Sequence, residues 1–445
     1  MSELFDGVLA AGPVRAEVSD TAWLRAMLDV EAALAGALAD VGLIQRAHAN
    51  AIAEACDPDY YDVTELGRRA TRVGNPVAAL VRALTDKVHG DAAGYVHFGA
   101  TSQDVMDTAA MLVASRALEP MIEDLDACSE ATAALAEEHA TTVQAGRTLL
   151  QQALPVTFGL TAAGWLSGLD TAAARLRSVP PAAQLGGAVG TLASLGGHGP
   201  AVLAAFSERL GLTEPVLPWH TERTRIADLA GALGTVSGVV AAVARTITLL
   251  AQTEVGEAFE QGPAGSGASS TMPHKRNPVA AVSALACARQ APGLVAGLLG
   301  AMEQEYQRAA GAWHGEWRPF AELLRSTGSA VHWLRLSLER LRVDPARMRE
   351  NLDRTGGALL AERVTGALVS RTGRLAAHEA VTECCRRSVA GEGDLAALLA
   401  VDPLVGKHLN RATITELLDP AGYLGSADVF VERALSAHRE RRENL

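Results

Sequence analysis

The chain has 445 residues, with 39 lysines and arginines against 51 aspartates and glutamates, a formal net charge of −12. That balance, with no long basic run, argues against a general nucleic-acid binder, which carries a basic face. Apolar residues make up 49% and charged residues 20%, as in a globular protein with a large core, and aromatics at 4% suit close packing of helices rich in Ala, Leu and Val.

The opening MSELFDGVLAAG lacks a basic segment followed by an apolar one, so no signal peptide is expected there. No uninterrupted apolar run reaches the roughly 18 residues of a membrane span. Cys56, Cys128, Cys287, Cys384 and Cys385 lack CxxC spacing and read as reduced thiols of a cytoplasmic protein.

The first hundred residues hold short helices. Ser19-Asp20 precedes a helical run through Leu43, with Asp20 placed to cap it and Gly42 to end it. DPDYYDV at 57–63 reads as a loop. Residues 103–140 read as a long helix, interrupted or bent near Pro120. The Gly-rich LGGAVGTLASLGGHG at 185–199 reads as a loop or tight turn. Without a preceding strand or a GK[ST] ending, it is not a nucleotide loop. Ile226, Leu229, Leu233, Val236, Val240, Val243, Ile247 and Leu250 follow alternating spacings of three and four. That heptad seam runs about 37 Å and calls for long parallel or antiparallel neighbours. Residues 278–308 read as a third long helix, kinked at Pro292. From Gly356 the helices become shorter and more polar, with a turn inside RRSVAGEGDLAALL. No β-alternation of useful length appears. The expected fold is all-α: a long central helix bundle at 103–355, flanked by smaller helical domains at 1–102 and 356–445.

Four polar islands interrupt this background: HFGATSQDVMDT (97–108), QAGRTLLQQALPVTF (144–158), PWHTERTR (218–225) and SGASSTMPHKRNPV (266–279). Each lies at or near the end of a long helix, and ends of different helices can meet in a bundle. Thr101 or Ser102 reads as the cap of a helix starting near Gln103, with Asp104 in its first turn, a setting that also attracts anions. Thr221 reads as an N-cap or a substrate contact, and His220 as a surface residue or a substrate contact. Arg147 reads as a brace for its own turn through backbone carbonyls. Arg308 reads as part of a solvated helix face. No His/Cys/Asp cluster has metal spacing.

SSTMPHKRNP at 269–278 matches every specified position of the Ser-Ser-x-Met-Pro-x-Lys-x-Asn core in the signature loop of the fumarase/aspartase superfamily, with Ala268 where that family usually has Gly. VHFGATSQDVMDTA (96–109) is similar to its first substrate-binding segment, in the form used by adenylosuccinate lyase and its relatives. AGRTLLQQALPVTFGLTAAGWL (145–166) is similar to its second. In most of the superfamily a proton-transferring His follows Gly-Arg-Thr, and here that place is Leu149. This loss, the QxALPVTFG run, the PWHT segment and the head DTAWLRAMLDVEAALAGAL (20–38) resemble the bacterial 3-carboxy-cis,cis-muconate cycloisomerases.

The resemblance implies a homotetramer with seam helices bundled at its centre, sites shared between subunits, a small polycarboxylate substrate, and neither metal nor cofactor. The reaction passes through an aci-carboxylate dianion, which needs cations and hydrogen-bond donors where charge develops. The resemblance implies Ser269 as the base, activated by its surroundings as a loop closes. It implies Lys275 and Asn277 as a carboxylate clamp, Thr101 and Ser102 as a carboxylate-binding pair, and His97, Arg147, Thr148, His220, Thr221 and Arg308 as further substrate contacts. A carboxylate departs without a proton, so losing the His is tolerable for lactone chemistry and less so for expelling an amine. Three readings follow: a cycloisomerase of aromatic catabolism in the β-ketoadipate pathway, a C–N lyase of the adenylosuccinate lyase type or a biosynthetic amine-eliminating relative, and a non-catalytic descendant of the fold. Intact Ser269, Lys275 and Asn277 speak against the third.

Overall fold

The computed structural model describes residues 3–263, 267, 272 and 275–444. Helix makes up 69% of it. It divides into two compact units, one formed by Met1–Asp126, Thr171–Ala241 and Ser283–Leu334, the other by Ala127–Asp170, Ala242–Val282 and Arg335–Leu445.

In the first unit the helix Asp20–Asp40 buries Leu24, Leu28, Leu34 and Leu38. Ser19 caps it, not Asp20: the Ser19 backbone is extended and its hydroxyl accepts the Ala22 N–H at 3.2 Å, while Asp20 sits inside the first turn. Gly42, at φ +81°, follows the end of this helix. The helix Ser102–Glu138 runs through Pro120 without interruption. A proline inside a helix costs about 3 kcal/mol. Fully buried Ala117 and Met121 beside it, with Leu118, offset that cost, since a buried Met or Leu contributes about 1.5–3 kcal/mol each.

The helix Thr224–Leu250 carries the heptad seam, and all eight seam residues are buried within the chain itself. The seam therefore packs this protomer's own core. What faces outward is the opposite side, with Gly231, Gly238, Ala242 and Arg245 exposed. The expected 278–308 helix is two helices, Val279–Ala288 and Ala291–Gly300. Pro292 does not kink a continuous helix; it sits in the first turn of the second one, where its missing N–H needs no partner.

Averaged hydropathy corrects the reading from uninterrupted runs. Thr224–Leu250 and Val279–Gly300 are each long and apolar enough to cross a membrane, at mean hydropathy 1.8 and 1.4. The first owes this to its buried seam, the mark of a core helix.

The second unit contains strands that the sequence reading missed. Val143–Thr148 pairs antiparallel with Gln151–Thr157, and Ala258–Glu260 pairs with Leu341–Val343. The first hairpin was hidden because its alternation is broken by a register shift between Ala145 and Arg147 and by Pro155. Its two-residue turn is Leu149-Leu150, both at positive φ (51° and 65°), where Asn-Gly is the usual signal. In the tail, helices Ala361–Thr372, Arg374–Val389, Leu395–Val401 and Arg411–Leu417 close on Val364, Leu368, Val381, Leu399 and Ile414.

Candidate active site

One carboxylate organises most of the candidates in the first unit. Asp104 is 1% exposed and lies in the first turn of Ser102–Glu138. Its Oδ2 accepts the backbone N–H groups of Thr101 and Gly187, each at 2.9 Å. Its Oδ1 accepts the Gly186 N–H at 2.9 Å and faces His220 Nε2 at 2.7 Å. The bond to Thr101 is the return half of a capping box, in which a carboxylate at the third helical position reaches back to the cap amide. Thr101 therefore keeps its hydroxyl for another partner, and Arg308 Nη1 donates to it at 2.6 Å. Ser102 is the first residue of the helix and is half-buried.

The glycines of the 185–199 stretch make this approach possible. Gly187 sits at φ +68°, the left-handed region. Gly186 is not strained, but a Cβ there would lie 2.8 Å from Pro218 Cβ and 2.9 Å from His220 Cε1. The His220 carbonyl accepts from Gln103 Nε2 at 2.8 Å. Thr221 caps no helix: its hydroxyl donates to the Tyr306 carbonyl at 3.1 Å, while Glu222 accepts the Thr224 N–H at 3.0 Å.

His97 stands at φ +60°, with Nδ1 2.6 Å from Glu31 Oε1. Burial alone would lower its pKa, but the hydrogen bond and charge of Glu31, helped by Asp104, hold it above the ordinary histidine value. Behind this group Arg223 is buried between Asp107 and Glu316, with both guanidinium ends paired (2.9 Å and 2.6 Å). Trp313 Nε1 also donates to Asp107, and Gln304 to Glu316. Burial pushes Glu316 up, and the Arg223 charge pulls against it. This network fixes the PWHT segment to two helices.

In the second unit Arg147 is committed to Glu257. Its Nη1 and Nη2 donate to the two carboxylate oxygens at 2.9 and 2.5 Å, and only a long 3.4 Å bond reaches the Ala145 carbonyl of its own turn. Thr148 is exposed beside the turn, and Leu149 is 96% exposed at its tip. Asn277 donates twice to the Gly267 carbonyl, from its backbone N and from Nδ2, each at 3.0 Å. Lys275 is exposed, and its backbone N–H donates to the Met272 carbonyl. Glu260 caps the following helix by accepting the Ala280 and Ala281 N–H groups at 3.1 and 2.8 Å. Ser269, the expected base, lies outside the described residues, as do Ala268 and Pro273.

Thr101, Arg308 and His220 are thus joined through Thr101 and Asp104. Among the described residues no hydrogen bond links Arg147 with Lys275 or Asn277. Asp104 and Glu31 were missed as organisers of the site. Asp104 had a signal, the three-residue spacing from Thr101 that a capping box uses. Glu31 had none, because its partner is distant in sequence.

Hydroxyls and cationic side chains gathered at the start of a 37-residue helix suit carboxylates, despite the overall charge of −12. The class is a helical protein with a candidate anion site. A family model described as "Lyase" matches residues 9–293, and one described as "Adenylosuccinate lyase C-terminus" matches 357–434. The chain is 46% identical over 443 residues to a 3-carboxy-cis,cis-muconate cycloisomerase of Pseudomonas aeruginosa, covering 98% of this chain and 96% of that one. It is 43% identical to a nitrosuccinate lyase of Streptomyces davaonensis, covering 98% and 94%. The crystal structure of the 3-carboxy-cis,cis-muconate lactonizing enzyme of Pseudomonas putida superposes with a TM-score of 0.93 at 41% identity, covering 99% of both chains. The chain belongs to the lyase family of the fumarase/aspartase superfamily.

Proposed function

We propose that this enzyme is a 3-carboxy-cis,cis-muconate cycloisomerase, closing its substrate to 4-carboxymuconolactone in aromatic catabolism. The observation that carries the reading is similarity to 3-carboxy-cis,cis-muconate cycloisomerases along 98% of the chain, and Leu149, which follows Arg147-Thr148 at the hairpin tip and has no proton to give, turns it away from amine elimination. In lactone closure a substrate carboxylate oxygen bonds to the β-carbon, and charge moves onto the neighbouring carboxylate as an aci-carboxylate. A proton then returns to the α-carbon. The reverse reaction expels a carboxylate, which leaves as a stable anion and needs no acid. Ser269 is the group that exchanges the α-proton. Lys275 and Asn277 hold one carboxylate, Thr101, Ser102 and Arg308 another, and His97, His220 and Thr221 are further substrate contacts. Arg147 and Thr148 set the hairpin.

The relative from Streptomyces davaonensis supports a second reading, elimination of nitrite from a nitro-dicarboxylate. Nitrite also leaves as a stable anion, so Leu149 disfavours amine elimination without separating these two.

We further propose a cytoplasmic homotetramer. The seam is internally buried, and outward-facing apolar groups support the assembly instead: Val282 is 51% exposed and Leu299 48%. The hairpin tip adds to this, since two leucines at positive φ carry a conformational cost of about 1–3 kcal/mol each and also face solvent. The five cysteines form no disulfide, as suits a reducing compartment.

The test mixes purified protein with 3-carboxy-cis,cis-muconate and follows loss of the diene ultraviolet absorbance, beside Ser269→Ala and a parallel assay for nitrite release from nitrosuccinate. Diene loss with wild type alone supports the cycloisomerase. Nitrite release without diene loss transfers the assignment to the second reading.

A further inference from the structure

Three backbone N–H groups and His220 Nε2, from three chain segments, surround the buried Asp104 carboxyl: Oδ2 accepts two of the N–H groups, and Oδ1 accepts the third and meets the imidazole. Carboxylate oxygens so placed are acceptors, and the His220 nitrogen that faces Oδ1 is the one that carries hydrogen. That fixes the tautomer. Nδ1 is then the uncommitted ring nitrogen, with no hydrogen-bond partner among the described residues. The backbone carbonyl of His220 is held by Gln103, and the Cε1 edge of the ring lies where a Cβ on residue 186 would meet it. The same carboxylate also holds Thr101, whose hydroxyl meets Arg308.

We propose that Asp104 is a positioning residue acting through His220, and that His220 Nδ1 is the atom that meets a carboxylate of the substrate. This deepens the cycloisomerase reading and rests on it. As an imidazolium, His220 donates Nδ1–H to the carboxylate, while Asp104 balances the ring's charge. A neutral, purely structural His220 would need only its Nε2–H.

Glutamine and asparagine separate these roles, because their amide nitrogens stand in for Nε2 and Nδ1 respectively. His220→Gln keeps a donor for Asp104 and loses the group at Nδ1. A hydrogen bond to a charged group contributes about 1.5–3 kcal/mol, so kcat/KM for 3-carboxy-cis,cis-muconate should fall roughly 10–100-fold, chiefly through KM, with Tm nearly unchanged. A folded His220→Gln within threefold of wild type overturns the proposal. Asp104→Asn, made in wild type and in His220→Gln, tests the positioning. If Asp104 acts through His220, its effect on kcat/KM is large in the first background and small in the second; equal effects overturn that half. Should Asp104→Asn fail to fold, Asp104→Glu, which keeps the carboxylate and displaces it, takes its place in the same two backgrounds, and equal effects again overturn that half. Should wild type not turn over the muconate, calorimetric binding of tricarballylate, a saturated tricarboxylate, replaces kinetics. Tenfold weaker binding by His220→Gln supports the contact; equal binding, or none by wild type, overturns it.

Discussion

Arg147 and Glu257 form a two-pronged ion pair: each terminal nitrogen of the guanidinium meets one carboxylate oxygen, at 2.9 and 2.5 Å, with Glu257 fully buried. Asn351 Nδ2 donates to the same carboxylate at 2.7 Å. Removing Arg147 leaves the fully buried Glu257 carboxylate without its counter-charge. Arg147→Met should therefore cost about 3–5 kcal/mol in urea unfolding, and Glu257→Leu added to Arg147→Met should recover most of it. Recovery in the double variant is the decisive result; without it the pair is not the source of the loss.

The Glu31–His97 pair links stability to pH. The folded protein holds the His97 proton more tightly than the unfolded chain does, because its pKa lies above the ordinary 6.5. The pair's contribution is therefore complete below pH 6.5 and is lost as pH rises through the folded value. As pH rises above 6.5, wild-type Tm should fall more steeply than that of His97→Gln. Parallel curves would contradict this account.

Gly186→Ala tests the close approach around Asp104. The backbone there is not in the left-handed region, so the close contacts with Pro218, His220 and the Gly190 Cα are what resist alanine. We expect a loss of about 1–3 kcal/mol from overpacking and a drop in kcat/KM larger than that of a destabilised but undistorted enzyme. Full activity would show that the His220 ring can shift without consequence.

Replacing Leu149-Leu150 with Asn-Gly should relieve the positive-φ turn and remove its exposed apolar tip. The chain should stay folded by circular dichroism and shift to smaller species by light scattering. An unchanged mass with unchanged activity would mean the tip contacts nothing in the assembly.

Burial pushes the Cys56 thiol up to about 12, and the Cys287 and Cys384 thiols to about 11. Their thiolate fraction near pH 8 is negligible, so native protein should react slowly with a disulfide reagent and yield its thiols only on unfolding. Rapid native labelling of Cys56 or Cys287 would contradict this.

The sequence by itself determined the helical class, the long helices at 102–138 and 224–250 and the family, because these depend on local periodicity and on ordered short motifs; the expected third long helix is two short ones. The seam from Ile226 to Leu250 was legible to the residue, and so was the Thr101–Asp104 spacing. Tertiary structure alone decided which neighbours each group has. The seam's burial inside its own protomer, the commitment of Arg147 to Glu257 across 110 positions, and the meeting of Asp104 with Gly186, Gly187 and His220 all join segments far apart in the chain. The 143–157 hairpin escaped for the same reason. Its Leu-Leu turn and broken alternation carry no local preference for a strand, and Gly146 packs against the Leu154 carbonyl, where a Cβ would lie only 2.6 Å away. Local pattern encodes an element; what that element touches depends on distant segments being folded beside it.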